Sequence, residues 1–266
     1  MTIEEVRKCQ LKQLDALKFI DRVCRENELK YFVHTGTLLG AVRHQGYIPW
    51  DMDTDILMPM EDTKKFLHIV EEMHDPRYTV ISEDESWFSS DRLIAKTAKC
   101  YGEAAKDIID QYIHVDIYSY GNGKPKPSYL TKFDTDKTRI IHRLIAYREG
   151  RNLFQSEINR SFIRVLDKLY KKKATSKLRE MLKSSALYET ETGWYTVYNS
   201  YYGFSKETYS KNIYRETVYL PFEDMKVPAP IGYIEVLERL YGNWQTLPPE
   251  NERYPVYLKD MYYEEL

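Results

Sequence analysis

Cysteine is scarce in this 266-residue chain. Cys9, Cys24 and Cys100 stand far apart, and three scattered thiols supply neither a disulfide framework nor the paired spacing of a zinc site. No charge sign dominates either, since 39 Lys and Arg against 41 Asp and Glu leave a formal net charge of −2. That balance removes the global pull toward nucleic acid or an anionic membrane. No apolar run approaches the ~20 residues that span a bilayer. "MTIEEVRKCQLKQLDALKFIDRVC" reads as a charged amphipathic pattern rather than a signal peptide. Internal repeats and low-complexity tracts are lacking too. The expectation is a soluble protein of the reducing cytoplasm, with no nucleic-acid partner and at most peripheral contact with the inner face of the membrane. A chain of this length forms one large domain or two small ones and can bury a sizeable core.

Hydrophobic periodicity organises what is present. Val6, Leu11, Leu14, Leu17, Ile20 and Val23 recur at three- and four-residue steps and predict a long first helix ending near Glu28. "KYFVHTG" (30–36) reads as a strand entering a glycine turn, "TLLGAVRH" (37–44) as a short helix, and "TDILM" (54–58) as a strand. "EDTKKFLHIVEEM" (61–73) reads as a helix with acidic residues at its N-terminus. Strands are expected at 77–81, 92–100 and 111–120. "GNGKPKPS" (121–128) breaks the pattern and marks a boundary, after which 135–149, 155–185 and 232–241 read as helical. The fold class is therefore α+β. A mixed sheet core over 1–125 includes the first helix, and a mainly helical region over 126–266 packs on that core and completes the site.

"GYIPWDMDTDILMPM" (46–60) poses the chemical question. On a strand, Asp51, Asp53 and Asp55 share one face while Met52, Thr54 and Ile56 take the other. Three carboxylates side by side repel one another, and burial worsens the conflict. A divalent cation resolves it, and hard carboxylate oxygens suit Mg²⁺ or Mn²⁺ together with substrate phosphates. An isolated Asp-x-Asp is ordinarily a solvated strand edge; here an apolar strand follows at once, and a glycine turn feeding a helix lies just upstream. In that turn Gly36 permits the bend, Thr37 opens the helix, and the free N–H groups form an anion site. Metal on one side and a helix N-terminus on the other would clamp a diphosphate. Asp116, which interrupts the apolar alternation of Ile113, Val115 and Ile117, is costly in a strand unless paired or metal-bound and is the candidate fourth carboxylate.

"HTGTLLGAVRHQGYIPWDMDTDILMPMED" resembles the signature block of the LicD family, relatives of fukutin and fukutin-related protein within the nucleotidyltransferase-fold superfamily. "LPFEDMKVPAP" and "VLERLYGNW" resemble its C-terminal pattern. One departure stands at Met52, where relatives usually carry an aspartate. The resemblance implies a nucleotidyltransferase-like core and Mg²⁺-dependent transfer of an alcohol phosphate, most often phosphocholine from CDP-choline. The acceptor would be a sugar hydroxyl of a teichoic acid or lipopolysaccharide type precursor, with a lipid-linked glycan as partner, and CMP is released. Asp53, Asp55 and Asp116 would ligate the metal, Asp51 would complete or orient that shell, and Asp116 would sit near the acceptor hydroxyl. Gly36, Thr37 and Arg43 would contact the donor. Arg92 and Lys96, four apart on a strand, would neutralise the leaving phosphate, and Glu223 or Asp224 would add a countercharge to choline.

Two compositional features bear on the substrate. The stretch "YETETGWYTVYNSYYGF" (188–204) is dense in aromatics, which bind quaternary ammonium groups through their faces. Between Arg160 and Lys183 nine Lys and Arg stand against two Asp and Glu, as on a solvated helix face or one that meets an anionic membrane. The alternatives are a ribitol or glycerol phosphate donor, a nucleotidyltransferase that releases pyrophosphate, and a degenerate nucleotide-binding module.

Overall fold

The computed structural model describes residues 1–84, 90–102, 111–124, 157–170, 175–200, 202–203, 205–253 and 261–266. Within 140–148 it describes all but 142 and 146, and side chains 157–160 and 185 lie outside the description. The architecture is α+β, as the sequence indicates. Two compact units form, the first from Met1–Ile81, Asp91–Tyr118 and Asn212–Leu266, the second from Ser82–Ser90 and Ser119–Lys211.

The first unit begins with helix α1 (Ile3–Glu26). A capping box starts it. The Thr2 hydroxyl accepts the Glu5 N–H at 3.2 Å, and the Glu5 carboxylate accepts the Thr2 N–H at 2.7 Å, which satisfies two of the end's orphan donors. Val6, Leu17, Ile20 and Val23 are fully buried, each contributing about 1.5–3 kcal/mol by leaving water. Strand β1 (Phe32–Val33), helix α2 (Thr35–His44), strand β2 (Asp55–Pro59) and helix α3 (Met60–Met73) follow. Then come strands β3 (Tyr78–Ile81), β4 (Asp91–Gly102) and β5 (Tyr112–Asn122). At the end of the chain lie the antiparallel pair β8 (Thr217–Phe222) and β9 (Met225–Pro230), and strand β10 (Met261–Glu265).

Sheet order is β1-β2-β5-β4-β10. Strand β4 pairs antiparallel with β5 along one side; its other side takes β3 at Arg92–Ala95 and β10 at Ala98–Gly102. The register opposes Arg92 to Asp116 and shifts between Ala95 and Lys99, so a bulge interrupts β4. Phe32, Ile56, Leu57, Met58, Leu93, Ile94, Val115 and Ile117 fill the core, each at most 1% exposed.

The second unit pairs Tyr120–Asn122 of β5 with β6 (Trp194–Val197), which pairs in turn with β7 (Thr208–Ser210). Helices α4 (Glu157–Tyr170) and α5 (Thr175–Ala186) enclose Ile141, Leu144, Ile145, Ile163, Leu178 and Leu182. Buried Glu83 accepts from the Tyr198 hydroxyl at 2.6 Å and Asn199 at 3.0 Å, with Lys183 at 3.0 Å. Helix α6 (Tyr233–Tyr241) belongs to the first unit.

The second half of the chain thus adds strands β6–β10 to its helices. Of the helix expected at 135–149, the described residues within 140–148 are helical, and 135–139 lie outside the description. Of the expected boundary "GNGKPKPS", residues 125–128 also lie outside it.

Candidate active site

The aspartates gather where the chain leaves α2 and enters β2. Strand geometry begins only at Asp55, so unbroken alternation is not what collects them. An Asx-type turn does this work instead, the Asp51 carboxylate accepting the Asp53 N–H at 3.2 Å. Met52 and Thr54 still point inward, at 7% and 2% exposure, while Asp53 reaches solvent. The Met52 side chain therefore lies in the core, on the side away from Asp53.

Helix α1 clamps this segment. Gln10, 2% exposed, donates to the carbonyls of Ile48 at 3.1 Å and Asp51 at 2.8 Å. Gln13 donates to the Met52 carbonyl, with the His114 carbonyl at 3.4 Å. Two buried glutamines on an otherwise apolar face are a readable signal, because a buried amide needs partners. They stand outside the residues that the sequence singles out for the site.

The helix opening differs from expectation in one respect. Thr35, not Gly36, takes the positive φ, at 41°, an outlying conformation for a β-branched residue. Its hydroxyl donates to the Asp55 carboxylate, and the Asp55 N–H donates to the Thr37 hydroxyl at 2.9 Å. These two threonines tie the opening of α2 to the start of β2. The first i→i−4 bond of α2 runs from Leu38 N–H to the His34 carbonyl at 3.0 Å, so the N–H groups ahead of it belong to the anion-attracting helix end. Gly36 serves a purpose other than a turn. A Cβ there would stand 2.7 Å from Asp51 Oδ2, so only glycine lets the carboxylate lie over the helix opening. Gly36→Ala is expected to displace Asp51 and to reduce turnover about 10²-fold, the scale of a ~1 Å misplacement, with little change in the unfolding midpoint. Steady-state kinetics beside calorimetry checks this.

Asp116 enters from β5, its N–H donating to the Thr54 carbonyl at 2.9 Å. Arg92 Nε donates to Asp116 Oδ1 at 2.6 Å, both side chains 14% exposed, and His114 Nε2 lies 4.0 Å from Asp116 Oδ2. Arg92 thus meets a carboxylate directly. Lys96 was paired with Arg92 on the premise of unbroken alternation, and the bulge after Ala95 removes that premise; its N–H donates to Arg77 at 2.7 Å.

Two of the residues expected to contact the donor also have partners within the protein. Arg43 donates to His44 Nε2 and to the Trp244 carbonyl, each at 3.0 Å. Glu223 receives both Arg7 Nη atoms, at 2.9 and 2.6 Å, and the Tyr47 N–H at 3.0 Å. The Arg7 bonds hold the Glu223 carboxyl below the usual range. Glu223 therefore pins the Gly46–Tyr47 bend that leads into the aspartates, its charge already matched. Asp224 pairs with Lys18 at 2.7 Å. In the aromatic stretch, Tyr198 is 4% exposed, and Tyr195 lies edge-on to Tyr120 with Lys211 over its ring at 4.5 Å. Tyr201 and Phe204 lie outside the described residues.

Electrostatics mark the cluster. Asp53 is pushed up to about 7, first by the crowding protein and then by the charges of Asp51 and Asp116, with Arg92 pulling back. Burial, then Asp116 and Asp53, raise Asp55 well above the carboxylate range, against the Thr35 hydroxyl. Burial also raises Asp51, against the N–H groups of Asp53 and Met52. Since Asp53 reaches solvent, water screens part of the repulsion.

A carboxyl raised from an ordinary 3.8 to about 7 keeps its proton in the folded chain where the unfolded chain has lost it. Its stabilising contribution is full below the unfolded value and is lost as pH rises through about 7. In chelator-treated protein, the gap between parent and Asp53→Asn unfolding midpoints should therefore move in favour of the variant from about pH 5 to 8. Parallel midpoints across that window would remove the charge conflict.

Among the described residues no three His, Cys, Asp or Glu are gathered as a ready-made metal cage; Asp51, Asp55 and Asp116 each rest on a protein donor. The donor chemistry nevertheless fits a hard divalent ion, with mutually repelling carboxylate oxygens beside a helix N-terminus.

Comparison with known proteins follows the same residues. Residues 28–132 match the family model described as "LicD/FKTN/FKRP, nucleotidyltransferase domain". The chain is 26% identical to the lipopolysaccharide cholinephosphotransferase LicD of Haemophilus influenzae, with 97% of each chain covered. It is 38% identical to an uncharacterized protein of Rickettsia prowazekii over 30% of this chain and 32% of that one. An uncharacterized protein of Rickettsia typhi is 40% identical over 45% of this chain and 36% of its own. The helix opening of α2 and all four aspartates lie inside the segment that matches the LicD family model, and the likeness to the Haemophilus influenzae protein runs along nearly the whole chain.

Proposed function

We propose that this protein is an enzyme that transfers phosphocholine from CDP-choline to a sugar hydroxyl of a cell-surface glycan precursor and releases CMP. The observation that carries the reading is the carboxylate cluster beside the opening of α2, within a chain matched over nearly its whole length by a lipopolysaccharide cholinephosphotransferase. In the reaction the acceptor oxygen forms a bond to the choline-bearing phosphorus. The phosphorus–oxygen bond to CMP breaks, and its electron pair leaves with CMP. Such transfer asks a protein mainly for positioning and charge stabilisation.

Each side chain takes a part in keeping with its surroundings. N–H groups at the opening of α2 bind diphosphate oxygens. Asp53, Asp55 and Asp116 would hold Mg²⁺ or Mn²⁺, which neutralises developing phosphate charge when bound. Asp51, seated over Gly36, orients the loop. Asp116 receives the acceptor hydroxyl proton, and Arg92, its partner, holds that carboxylate in place and supplies positive charge.

Donor identity is tested by titration calorimetry with a divalent cation under non-turnover conditions. CDP-choline should bind about 5- to 100-fold tighter than CDP-glycerol or CDP-ribitol, the span of one or two cation–π contacts. The neutral isostere with carbon in place of the quaternary nitrogen should lose most of that margin. Equal affinity for the charged and neutral forms would mean a polyol phosphate donor instead.

A further inference from the structure

Helix α4 carries two apolar faces. Ile163, Leu166 and Tyr170 pack inward against the cluster of the second unit. Phe162, Val165 and Leu169 remain outside, at 53, 56 and 74% exposure. Spacings of three and four set those three on one ridge, where a helix docked on a folded unit ordinarily shows polar side chains. Exposed Arg164 and Lys168 flank the ridge, and Lys171, Lys172 and Lys173 follow directly in sequence. Of the two acids on this helix, Glu157 stands at its first position and Asp167 is taken by Arg148 at 2.7 Å. Farther on, Lys177 pairs with Glu180, and Lys183 with Glu83 and Asp84, so the positive charge beside the ridge comes from Arg164 and Lys168.

We propose that the Phe162–Val165–Leu169 ridge seats on an anionic lipid surface, with α4 lying in the plane of the interface. Charge selects the occupant. A second copy would bring one basic flank against another, whereas anionic headgroups complement Arg164 and Lys168. Large apolar side chains bordered by Lys and Arg are the pattern of interfacial helices. Among the described residues no helix is long and apolar enough to cross a membrane, so α4 lies on the surface. The proposal stands on α4 and is independent of the chemistry proposed above.

Co-sedimentation of the full chain with vesicles tests it. Binding is expected to phosphatidylcholine vesicles that contain phosphatidylglycerol, and to weaken in high salt. F162Q/L169Q and R164E/K168E should each reduce binding about tenfold or more. All four side chains are exposed, so unfolding midpoints should match the parent; V165S provides a milder variant should F162Q/L169Q fold poorly. Absence of parent binding to the anionic vesicles would overturn the proposal. So would unchanged binding by the ridge variants, or a solution dimer that F162Q/L169Q converts to monomer.

Discussion

Asp53→Asn and Asp55→Asn are each expected to abolish measurable turnover while the fold survives. Both carboxyls are raised by crowding and by one another, a cost that a folded chain tolerates where the charge is put to use. Removing one should cost at least ~10²-fold in kcat, the scale of losing a preorganised stabiliser of transition-state charge. Stability should hold or rise slightly in metal-free protein, because a like charge has gone. The two positions differ in surroundings. Asp53 reaches solvent and should tolerate the change freely, whereas Asp55 is 8% exposed and accepts from Thr35. An asparagine at 55 keeps an oxygen for that hydroxyl, so the fold should persist there too. Divalent-dependent donor binding should weaken in both. Normal activity in both variants would remove the cluster from the chemistry.

Asp116→Asn separates catalysis from binding. If Asp116 acts mainly on the acceptor hydroxyl and only secondarily on the metal, kcat should fall about 10²–10⁴-fold, the range of general base catalysis, while CDP-donor affinity stays within a few-fold of the parent. The ion pair with Arg92 adds a structural consequence. With both side chains 14% exposed, asparagine leaves the guanidinium with a weaker acceptor, and about 1–3 kcal/mol of stability should go. Arg92→Gln should show that stability loss as well. Donor affinity that collapses in Asp116→Asn as far as in Asp53→Asn would make Asp116 a metal ligand first, and its role as base would be withdrawn.

Periodic elements were legible in the sequence because burial imposes their period. Apart from Leu11, which is exposed, the α1 pattern from Val6 to Val23, the strand around Asp116 and the helix at 233–241 follow from which side chains face the core. Asp51, Asp53, Asp55 and Asp116 stood out because like charges beside apolar runs are expensive. What escaped is set by tertiary partners that leave no periodic trace. The positive φ at Thr35 depends on its bond to Asp55, twenty residues on. The need for glycine at 36 comes from the Asp51 carboxylate above it, and Glu223 acquires its position from Arg7 at the opposite end of the chain. The bulge in β4 falls at Lys96–Ala98, where neither glycine nor proline marks it, so strict alternation sets Lys96 beside Arg92. Strands β6 to β10 are short or half exposed, so their alternation is too weak to read.

Phosphorus NMR of the protein incubated with CDP-choline, Mg²⁺ and candidate glycan acceptors tests the central claim most directly. The expected spectrum shows loss of the diphosphate signals, with equal growth of CMP and of a phosphodiester on the glycan. Asp53→Asn should leave the donor intact. Pyrophosphate released from a nucleoside triphosphate, with CDP-choline untouched, would contradict phosphocholine transfer and identify a nucleotidyltransferase.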